Sequence, residues 1–402
     1  MKKTIIIISM LIGILAIGLT VKTILIPKVV VSSALIQEED LSKKNFLNDK
    51  KAVLYLSTTA DQDLDGSGLS YAVFIDKNGE SSALQMSGLE LGMMTVTDDS
   101  LFLEEKNKVR MIGKEYKEFP MKKDQYTGSM TGYMKEKDLL FSIHNTGINQ
   151  KNGGYDSNIY FGNETSFQTS NIPHYIVTSG LSDDRIHILT SDVEASTYEL
   201  KEVTFTDAKD DIKIEDVATL NLDEKTLDPL SPLLVDNEYI YFVGTTYVND
   251  QKEETSFMRI HKQTHKQEAF PLEDYKNLEN PAASIPYNVR NSAYLYNDHV
   301  YYIDGLGDVY AFNTKTSTLE KAFSLGNNPS QDGVRYNDET YFKDNSLFVL
   351  RYDPNKDEKY YLEQYSLDTG SVTDTMEIKG LHHILSNVRN KSIYSYDLKL
   401  LQ

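Results

Sequence analysis

Short apolar runs, each directly after a polar turn, recur along the chain. The turns are rich in Asp, Asn and Lys, and the runs are rich in Val, Ile, Leu, Tyr and Phe. Asp and Asn suit tight turns because their side chains bond the local backbone, whereas β-branched and aromatic residues pack well on a pleated sheet. The pattern predicts β-strands, and the runs begin at Val53, Leu101, Leu139, Ile186, Tyr239, Val300, Leu347 and Ile393.

The spacing of these runs, 38–61 residues, predicts a β-propeller. Repeats of about 40–50 residues with several strands each are typical of propeller blades. After Val300, further strands are predicted at Val309–Phe312 and Leu319–Phe323, so that each unit holds four antiparallel strands. We therefore predict an all-β propeller over residues 51–402 with seven blades. An eight-blade ring, completed by strands from residues 29–47, is the alternative.

The last unit, His382–Tyr396, is too short for four strands. We expect it to close the ring by sharing a blade with the N-terminal strands, because a ring without free sheet edges needs its two ends to pair. His382 and His383 are predicted to lie on opposite faces of a strand there, each with a structural role.

The first 28 residues have the pattern of a membrane segment. A basic head, Met1–Lys3, precedes 18 uncharged residues from Thr4 to Val21, and about 20 apolar residues span a bilayer as a helix. We expect an uncleaved transmembrane anchor, because the nearest small residues suited to cleavage, Ser32–Ala34, lie far past the run. Residues 29–50 are then a linker, with the N-terminus cytoplasmic and the propeller outside the cell membrane. A cleaved signal peptide and a secreted propeller are the alternative.

The composition excludes several chemistries. The 402 residues include no Cys and no Trp, which rules out disulfides, thiolate metal sites and a cysteine nucleophile. The formal net charge is −19, and because residues 1–36 contain four Lys and no acid, the remainder carries −23. Nucleic-acid binding depends on Lys and Arg neutralising phosphates. We therefore expect no nucleic-acid partner.

Two units resemble the repeat of the quinoprotein-like propellers. Gly307–Thr316 follows that repeat closely, and Tyr365–Gly370 matches its second half. The enzymes of that class bind pyrroloquinoline quinone and dock their blades through Trp, which this chain lacks. The resemblance therefore implies the non-enzymatic branch, whose members are scaffolds at bacterial membranes, without that cofactor.

Alternating carboxylates at residues 61–67 form the sharpest local motif. The ligand candidates have the spacing of the first half of an EF-hand calcium loop, and Gly66 lets the loop fold back. The twelfth position, where such a loop has Glu, is Ala72. Calcium is the one cofactor that the sequence suggests, and the alternative is a solvated acidic turn. The candidate ligands are Asp61, Asp63, Asp65 and Ser67.

Other polar groups carry weaker signals. His261 and His265 are four residues apart, but they fall at a predicted junction of strand and turn, which argues against zinc. Asp353–Asp357 is predicted to be a hairpin turn. Two stretches are predicted to be loops at the propeller rims, where binding sites usually lie: Asn149–Tyr155 and Asn277–Pro286. A third, Asp207–Asp216, is predicted to be an acidic insert in blade four.

These observations favour a membrane-tethered, extracytoplasmic scaffold or accessory subunit that binds a membrane or envelope protein. The chain has 27 Tyr, a residue enriched at interfaces. The alternative is a propeller enzyme, a lyase or hydrolase of cell-envelope material, with His, Arg, Tyr and carboxylates converging on the channel. A sensory domain for a small ligand or ion is a third hypothesis. Tyrosines placed in predicted connections are Tyr126, Tyr133, Tyr155, Tyr275 and Tyr287.

Overall fold

A computed structural model of the chain contains seven β-sheets, the blades of one propeller. The structure describes residues 35–43, 45–149, 154–192, 197–206, 211–223, 225–248, 251–272, 281–326, 338–386, 388 and 391–401. The prediction of an all-β propeller with seven four-stranded, antiparallel blades is confirmed, and the eight-blade alternative is wrong.

The blades are numbered along the chain, and blade 1 contains both chain ends. Blade 1 consists of β1 (Leu35–Ile36), β2 (Lys50–Ser57), β3 (Leu69–Asp76), β4 (Ser81–Ser87) and the C-terminal β30 (Tyr394–Leu400). Blade 2 consists of β5 (Met94–Val96), β6 (Leu101–Glu105), β7 (Lys108–Ile112) and β8 (Tyr116–Pro120). Blade 3 consists of β9 (Thr127–Met134), β10 (Leu139–Ile148), β11 (Tyr155–Gly162) and β12 (Phe167–Ile172). Blade 4 consists of β13 (Tyr175–Leu181), β14 (Ile186–Asp192), β15 (Thr197–Phe205) and β16 (Ile212–Thr219).

In blade 5 the first strand is split in two, and both pieces pair with the second strand. Blade 5 consists of β17 (Thr226–Pro229), β18 (Leu234–Val235), β19 (Tyr239–Val248), β20 (Gln251–His261) and β21 (Gln267–Pro271). Blade 6 consists of β22 (Ala293–Tyr296), β23 (His299–Ile303), β24 (Asp308–Asn313) and β25 (Thr318–Ser324). Blade 7 consists of β26 (Glu339–Lys343), β27 (Ser346–Tyr352), β28 (Tyr360–Ser366) and β29 (Val372–Ile378).

Helices are short. In the part of the chain that the structure describes, the two α-helices are α1 (Glu38–Leu41) and α2 (Leu381–Ser386), and 3₁₀ turns cover Ala60–Asp63, Lys135–Lys137, Pro281–Ser284 and Val289–Asn291. No helix in the described residues is long and apolar enough to cross a bilayer. The predicted anchor, residues 1–28, lies outside the described residues.

Seven of the eight apolar runs found in the sequence are the second strands of blades 1–7, and both faces of each are buried. The eighth, which begins at Ile393, leads into β30 of blade 1. In β2, Leu54 and Leu56 pack in one cluster with side chains of blade 7, while Val53 and Tyr55 pack in another with side chains of blade 2. The second strand of each blade packs against the blades on both sides, so both of its faces are shielded from water. This burial stabilises the ring by about 25 cal/mol for each Å² of apolar surface.

The ring closes through the C-terminal strand. β30 is the first strand of blade 1 and pairs antiparallel with β2, with Leu398 opposite Leu54. The prediction that the last segment shares a blade with the N-terminal strands is confirmed. β1 adds a fifth, parallel strand to this blade, with Leu35 opposite Ala83. From residue 35 onward, the segment 29–50 that the sequence suggested as a linker thus packs on blade 1, where Leu41 is buried.

The propeller has two different faces. The turn face carries the hairpins between the first and second and between the third and fourth strands of each blade. These hairpins are short, and Asp138, Asn297, Asp298 and Asp344 adopt positive φ in them, as Asp and Asn tolerate. The connection face carries the hairpins between second and third strands and the links between blades, among them the described residues 58–68, 281–292 and 379–386.

Three local predictions need correction or completion. His382 and His383 lie on α2, not on a strand, because Leu381 and Ile384 are buried at helical spacing while both histidines face solvent. Within Asp207–Asp216, residues 212–216 belong to the outer strand β16, not to an insert, and 207–210 lie outside the described residues. Parts of the other two loops, 150–153 and 277–280, also lie outside them. The hairpin turn at Asp353–Asp357 is confirmed.

Candidate functional site

A cavity of about 1060 Å³ occupies the channel at the connection face. First strands of neighbouring blades contact one another around it. Its walls include the beginnings of these strands and parts of the links, such as Leu91, Tyr287 and Tyr394. Ligand pockets typically hold about 300–1000 Å³, so the volume suits a small ligand or a protruding group of a protein partner.

The link between blades 5 and 6 reaches into this cavity as the 3₁₀ turn Val289–Asn291. Asn288 caps the turn, its Oδ1 accepting a hydrogen bond from the Arg290 amide at 3.0 Å. Its Nδ2 donates to Glu339 Oε2 at 3.0 Å and to the Tyr396 carbonyl at 2.8 Å. Asn291 Nδ2 donates to Asp397 Oδ1 at 2.9 Å. The turn is therefore bonded to the first strands of blades 7 and 1.

Arg290 extends from this turn across the channel. Its Nη1 donates to the carbonyl oxygen of Leu91, in the link between blades 1 and 2, at 2.6 Å. Burial lowers the pKa of the guanidinium, and the attraction of Asp397, Glu104 and Glu339 opposes that effect. The positive charge of Arg290 is thus attracted to carboxyl groups that come from three blades.

Two carboxyl groups of the channel have different surroundings. Burial, with a smaller contribution from the nearby Asp397, raises the pKa of Glu339 to about 8 in spite of its hydrogen bond from Asn288. Asp397 accepts hydrogen bonds from the Met94 amide and from Lys399 Nζ, both at 2.8 Å. At neutral pH Glu339 is therefore largely protonated, while Asp397 accepts from three donors, on Asn291, Met94 and Lys399.

A second polar cluster lies between blades 2 and 3. Ser142 Oγ and His144 Nε2 on β10 both contact Glu104 Oε2 on β6, His144 at 3.1 Å, and all three side chains are buried. A serine-protease-type triad needs the carboxylate and the serine on different imidazole nitrogens. Here both partners meet Nε2, because Ser142 Oγ lies 3.0 Å from that atom. This cluster is not a catalytic triad.

The exposed apolar side chains lie almost entirely on the connection face. Among the described residues, seven large apolar side chains are exposed, by 36–88%. The exception is Val372, at the turn-face end of the outer strand β29. A one-sided concentration of exposed apolar groups is typical of an interaction surface. The six on the connection face are Leu64, Leu91, Tyr126, Ile148, Ile285 and Tyr394.

The predicted calcium ligands lie on the hairpin between β2 and β3, and three of the four, Asp63, Asp65 and Ser67, are bonded to other protein groups. Asp63 is buried and forms an ion pair with Lys106, with Oδ2 2.6 Å from Nζ. Asp65 Oδ1 accepts hydrogen bonds from the Ser67 amide and hydroxyl, and Ser67 Oγ accepts one from Lys391 Nζ at 2.7 Å. Across the described residues, no three His, Cys, Asp or Glu side chains group as metal ligands. Calcium binding at Asp61, Asp63, Asp65 and Ser67 stays a prediction.

The two histidines at four-residue spacing do fall at the end of a strand. His261 ends β20, and its Nδ1 accepts hydrogen bonds from the amides of Gln263 and Thr264. His265 has a positive φ of 57° in the turn that follows. His261 therefore has a turn-stabilising role, and the predicted junction is confirmed.

The tyrosines placed in connections have mixed positions. Tyr126 lies in the link between blades 2 and 3, and Tyr287 lines the channel. Tyr133 and Tyr155 instead lie in β9 and β11, so their placement in connections is wrong. Tyr275 lies outside the described residues.

Sequence reasoning missed the residues of the channel and of the cluster between blades. Ser142 and His144 gave a signal, since they are polar at alternate positions of an otherwise apolar run, LLFSIH. Arg290, Glu339 and Asp397 gave none, because links and strands far apart in the chain bring them together.

Comparison with known proteins matches residues 45–401 to the family described as the β-propeller domain of YycP. Uncharacterized protein YycP of Bacillus subtilis (strain 168) is 30% identical over 370 residues, which cover 90% of this chain and 91% of that protein. The computationally designed protein Ika8 is similar at 11% identity and a TM-score of 0.44, over 76% of this chain and 84% of that one. BamB from Moraxella catarrhalis is similar at 12% identity and a TM-score of 0.40, over 81% and 83%.

Proposed function

The chain belongs to the YycP β-propeller family, and we propose that this propeller is a membrane-tethered, extracytoplasmic module that binds a membrane or envelope protein through its connection face. The observation that carries the proposal is the one-sided distribution of exposed apolar groups. Six of the seven lie on the connection face, and two of these, Leu91 and Tyr394, line the channel cavity. Such a surface offers a partner apolar area without reorganisation of the propeller, which limits the entropic cost of binding.

The net charge of the propeller indicates which charge its partner carries. Residues 37–402 carry a formal net charge of −23, so a partner with a basic rim around an apolar centre associates faster and is favoured over an acidic one. The quinoprotein-like repeat at Gly307–Thr316 supports a scaffold role by resemblance alone.

The position of β1 supports an orientation for the tethered domain. β1 runs parallel to β4, which begins at the turn face, so the chain enters blade 1 from the turn-face side. Residues 29–34 span at most about 20 Å. With an anchor at residues 1–28, the turn face is then nearer the membrane, and the connection face points away from it.

Single cysteines test the docking face, because the chain has no native cysteine. A photocrosslinker is attached at Ile285→Cys or Tyr394→Cys, and at Val372→Cys as the matched control, since Val372 and Tyr394 are both 46% exposed. In intact cells, we expect one envelope protein to crosslink from the first two positions and not from the third.

A binding measurement with that protein then completes the test. Ile285→Ser with Tyr394→Ser should weaken its binding to the purified propeller, while the unfolding midpoint stays the same. Equal crosslinking from Val372→Cys, or unchanged binding by the double variant, would show that the connection face is not the docking surface.

The channel favours a second candidate function, a lyase or hydrolase of cell-envelope material. Arg290, Tyr396 and Glu339 line one cavity, and a carboxyl with a pKa of about 8 suits general acid–base chemistry near neutral pH. Glu339 is only 1% exposed and is bonded to Asn288, so the Val289–Asn291 turn must move before a substrate reaches it. Release of soluble products from isolated cell envelopes by the purified domain, lost in Glu339→Gln, would favour this function over the scaffold.

A further inference from the structure

The channel cavity has two walls of different chemistry. The acidic and basic side chains of its described lining all come from blade 7, blade 1 or the link between blades 5 and 6: Arg290, Asp338, Glu339 and Lys399. The lining residues between 127 and 234, from blades 3, 4 and 5, include no Asp, Glu, Lys, Arg or His. In a ring of seven, blades 3–5 lie across the channel from blades 7 and 1, so a charged wall faces an uncharged one.

Arg290 differs from the other arginines that the structure describes. Arg110, Arg185, Arg259 and Arg351 each form an ion pair with a Glu carboxylate, at 2.5–3.3 Å. Arg290 forms no such pair within the described part of the chain, and its one side-chain hydrogen bond there goes to a backbone carbonyl oxygen. A guanidinium has five N–H donors, so most of those of Arg290 have to find an acceptor in the cavity that it lines.

The acidic groups of the charged wall are held by other partners. Asp397, which borders this wall, forms an ion pair with Lys399 at 2.8 Å. Asp338 accepts a hydrogen bond from a backbone amide of β27 at 2.9 Å. Glu339, whose pKa burial raises to about 8, is largely protonated at neutral pH. The positive charge of Arg290 is therefore available to a group in the cavity.

The uncharged wall supplies apolar surface. Met130 on β9, Val177 on β13 and Leu234 on β18 line the cavity and are only half-buried. Two hydroxyls in this wall, of Thr131 and Thr178, already have hydrogen-bond partners within the protein. A ligand therefore gains binding energy at this wall by burying apolar surface.

We propose that the channel cavity binds a carboxylate that carries an apolar group. The carboxylate accepts two hydrogen bonds from the Arg290 guanidinium, the paired geometry that these groups favour, and the apolar group packs on the uncharged wall. Because the wall has one unpaired cation and the propeller is acidic overall, a monoanionic carboxylate is favoured over a dianionic phosphate. The volume of about 1060 Å³ suits a free carboxylic acid or the last residues of a polypeptide.

This inference goes beyond the proposed docking function. A ligand in the cavity needs no partner protein on the connection face, and it needs no reaction at Glu339. Failure of the inference would therefore leave the crosslinking test and the binding test of the docking face as they are.

The first test compares probes on the parent protein. Hexanoate, hexanamide, butyrate and acetate are titrated into the purified full-length protein at constant ionic strength and followed by calorimetry. Hexanoate should bind at one site and about tenfold or more tightly than hexanamide, which lacks the charge, since hydrogen bonds between charged groups are the stronger ones. From acetate to hexanoate, each added methylene should strengthen binding by up to about fourfold, the value of burying one such group.

Variants then assign the two walls. Arg290→Met should abolish the preference for hexanoate over hexanamide, and Arg290→Lys should keep part of it. Val177→Asn should weaken the binding of hexanoate and not that of acetate, and it leaves the Val289–Asn291 turn untouched. Arg185→Met is the matched control, because it removes an arginine that lines a different cavity. The comparison of probes on the parent protein stays valid if a variant fails to fold.

A dipeptide distinguishes the two sources of the carboxylate. N-acetyl-alanyl-leucine is compared with its C-terminal amide and with hexanoate. If the peptide acid binds more tightly than both, the natural ligand is the C-terminus of a polypeptide. If hexanoate binds more tightly than the peptide acid, the natural ligand is a free carboxylic acid. Either result supports the proposal.

Four outcomes would overturn the proposal. Two concern the charge: equal binding of hexanoate and hexanamide, or equal weakening of hexanoate by Arg185→Met. The third is the absence of saturable binding at millimolar hexanoate, which would mean that water alone fills the cavity. The fourth is tighter binding of hexyl phosphate than of hexanoate, which would assign Arg290 to a phosphate monoester.

Discussion

The guanidinium of Arg290 donates a hydrogen bond to the carbonyl oxygen of Leu91, although the two residues are 199 positions apart in the chain. The bond joins the link between blades 5 and 6 to the link between blades 1 and 2. It runs across the mouth of the channel, where the Val289–Asn291 turn is also bonded to blades 7 and 1. The link between blades 5 and 6 therefore ties three other parts of the ring together at the channel mouth: blade 7, blade 1 and the link between blades 1 and 2.

Arg290→Met should lower the free energy of unfolding by about 1–3 kcal/mol, the cost typical of a lost hydrogen bond with a charged donor. Chemical denaturation of the purified propeller measures it. Arg290→Lys, which keeps the charge, should lose less. A Met variant as stable as the parent protein would show that the bond to Leu91 contributes nothing measurable.

Glu339→Gln should remove a pH dependence of stability. The carboxyl has a pKa of about 8 when folded and an ordinary value of 4.5, so between these values the folded state holds more protons than the unfolded state. Stability is therefore lost as pH rises from about 4.5 to 8, by at most about 1.4 kcal/mol per pKa unit. Denaturation at pH 5.5, 7 and 8.5 should show a growing advantage of the Gln variant. Glu115→Gln, at an exposed carboxylate, is the control, and parallel curves for parent and Glu339→Gln would contradict the expectation.

Leu398→Ala should destabilise the whole ring. Leu398 in β30 is fully buried and packs in the cluster that joins blades 1 and 7, and large-to-small changes at such sites cost about 2–5 kcal/mol. We expect one cooperative transition at a lower midpoint, seen equally by circular dichroism and by tyrosine fluorescence. Val372→Ala, on an exposed outer strand, should change little. Two separate transitions would mean that blade 1 opens independently of the rest.

Lys106→Met should also be strongly destabilising, because it leaves the carboxylate of Asp63 buried without its cation. Breaking a buried ion pair from one side typically costs about 3–5 kcal/mol. The double variant Lys106→Met with Asp63→Leu should recover part of the loss, since no buried charge remains. Thermal unfolding of the three proteins measures this, and a single variant as stable as the parent would exclude a structural role for the pair.

Calcium has its own test in the same hairpin. If the loop holds the ion, millimolar calcium should raise the unfolding temperature, because a ligand specific for the folded state stabilises it by mass action. Asp61→Asn should abolish the rise, and it leaves the Asp63–Lys106 pair intact. If calcium and magnesium raise the unfolding temperature equally, or if neither does, the loop is not a calcium site. The roles of these carboxylates are then the ion pair with Lys106 and the stabilisation of the turn.

The second strands were predictable because burial on both faces makes them continuous apolar runs. The closing role of β30 followed from counting strands, since the last unit was too short for a blade. α2 was missed although Leu381 and Ile384 carried a helical spacing, because a single turn of helix is too short to stand out from a strand pattern. Glu104 and His144 meet between two blades, and Arg290 meets Leu91 across the ring; such pairings depend on the tertiary arrangement, and nothing local in the sequence marks them.

Because β2 pairs with β30, the ring of blades is continuous, and no blade is structurally the first. The Leu401 amide donates to the Lys51 carbonyl at 2.9 Å, so a short linker can join residue 401 to residue 51 in a variant without β1 and α1. A circularly permuted chain, opened instead at the tight turn after Asn313, would place its new termini on the turn face of blade 6. The strands from β2 to β30 would be the same, but the order in which they emerge during synthesis would change. The present order makes blade 1 the last to be completed, because three of its antiparallel strands are made first and the fourth is made at the very end.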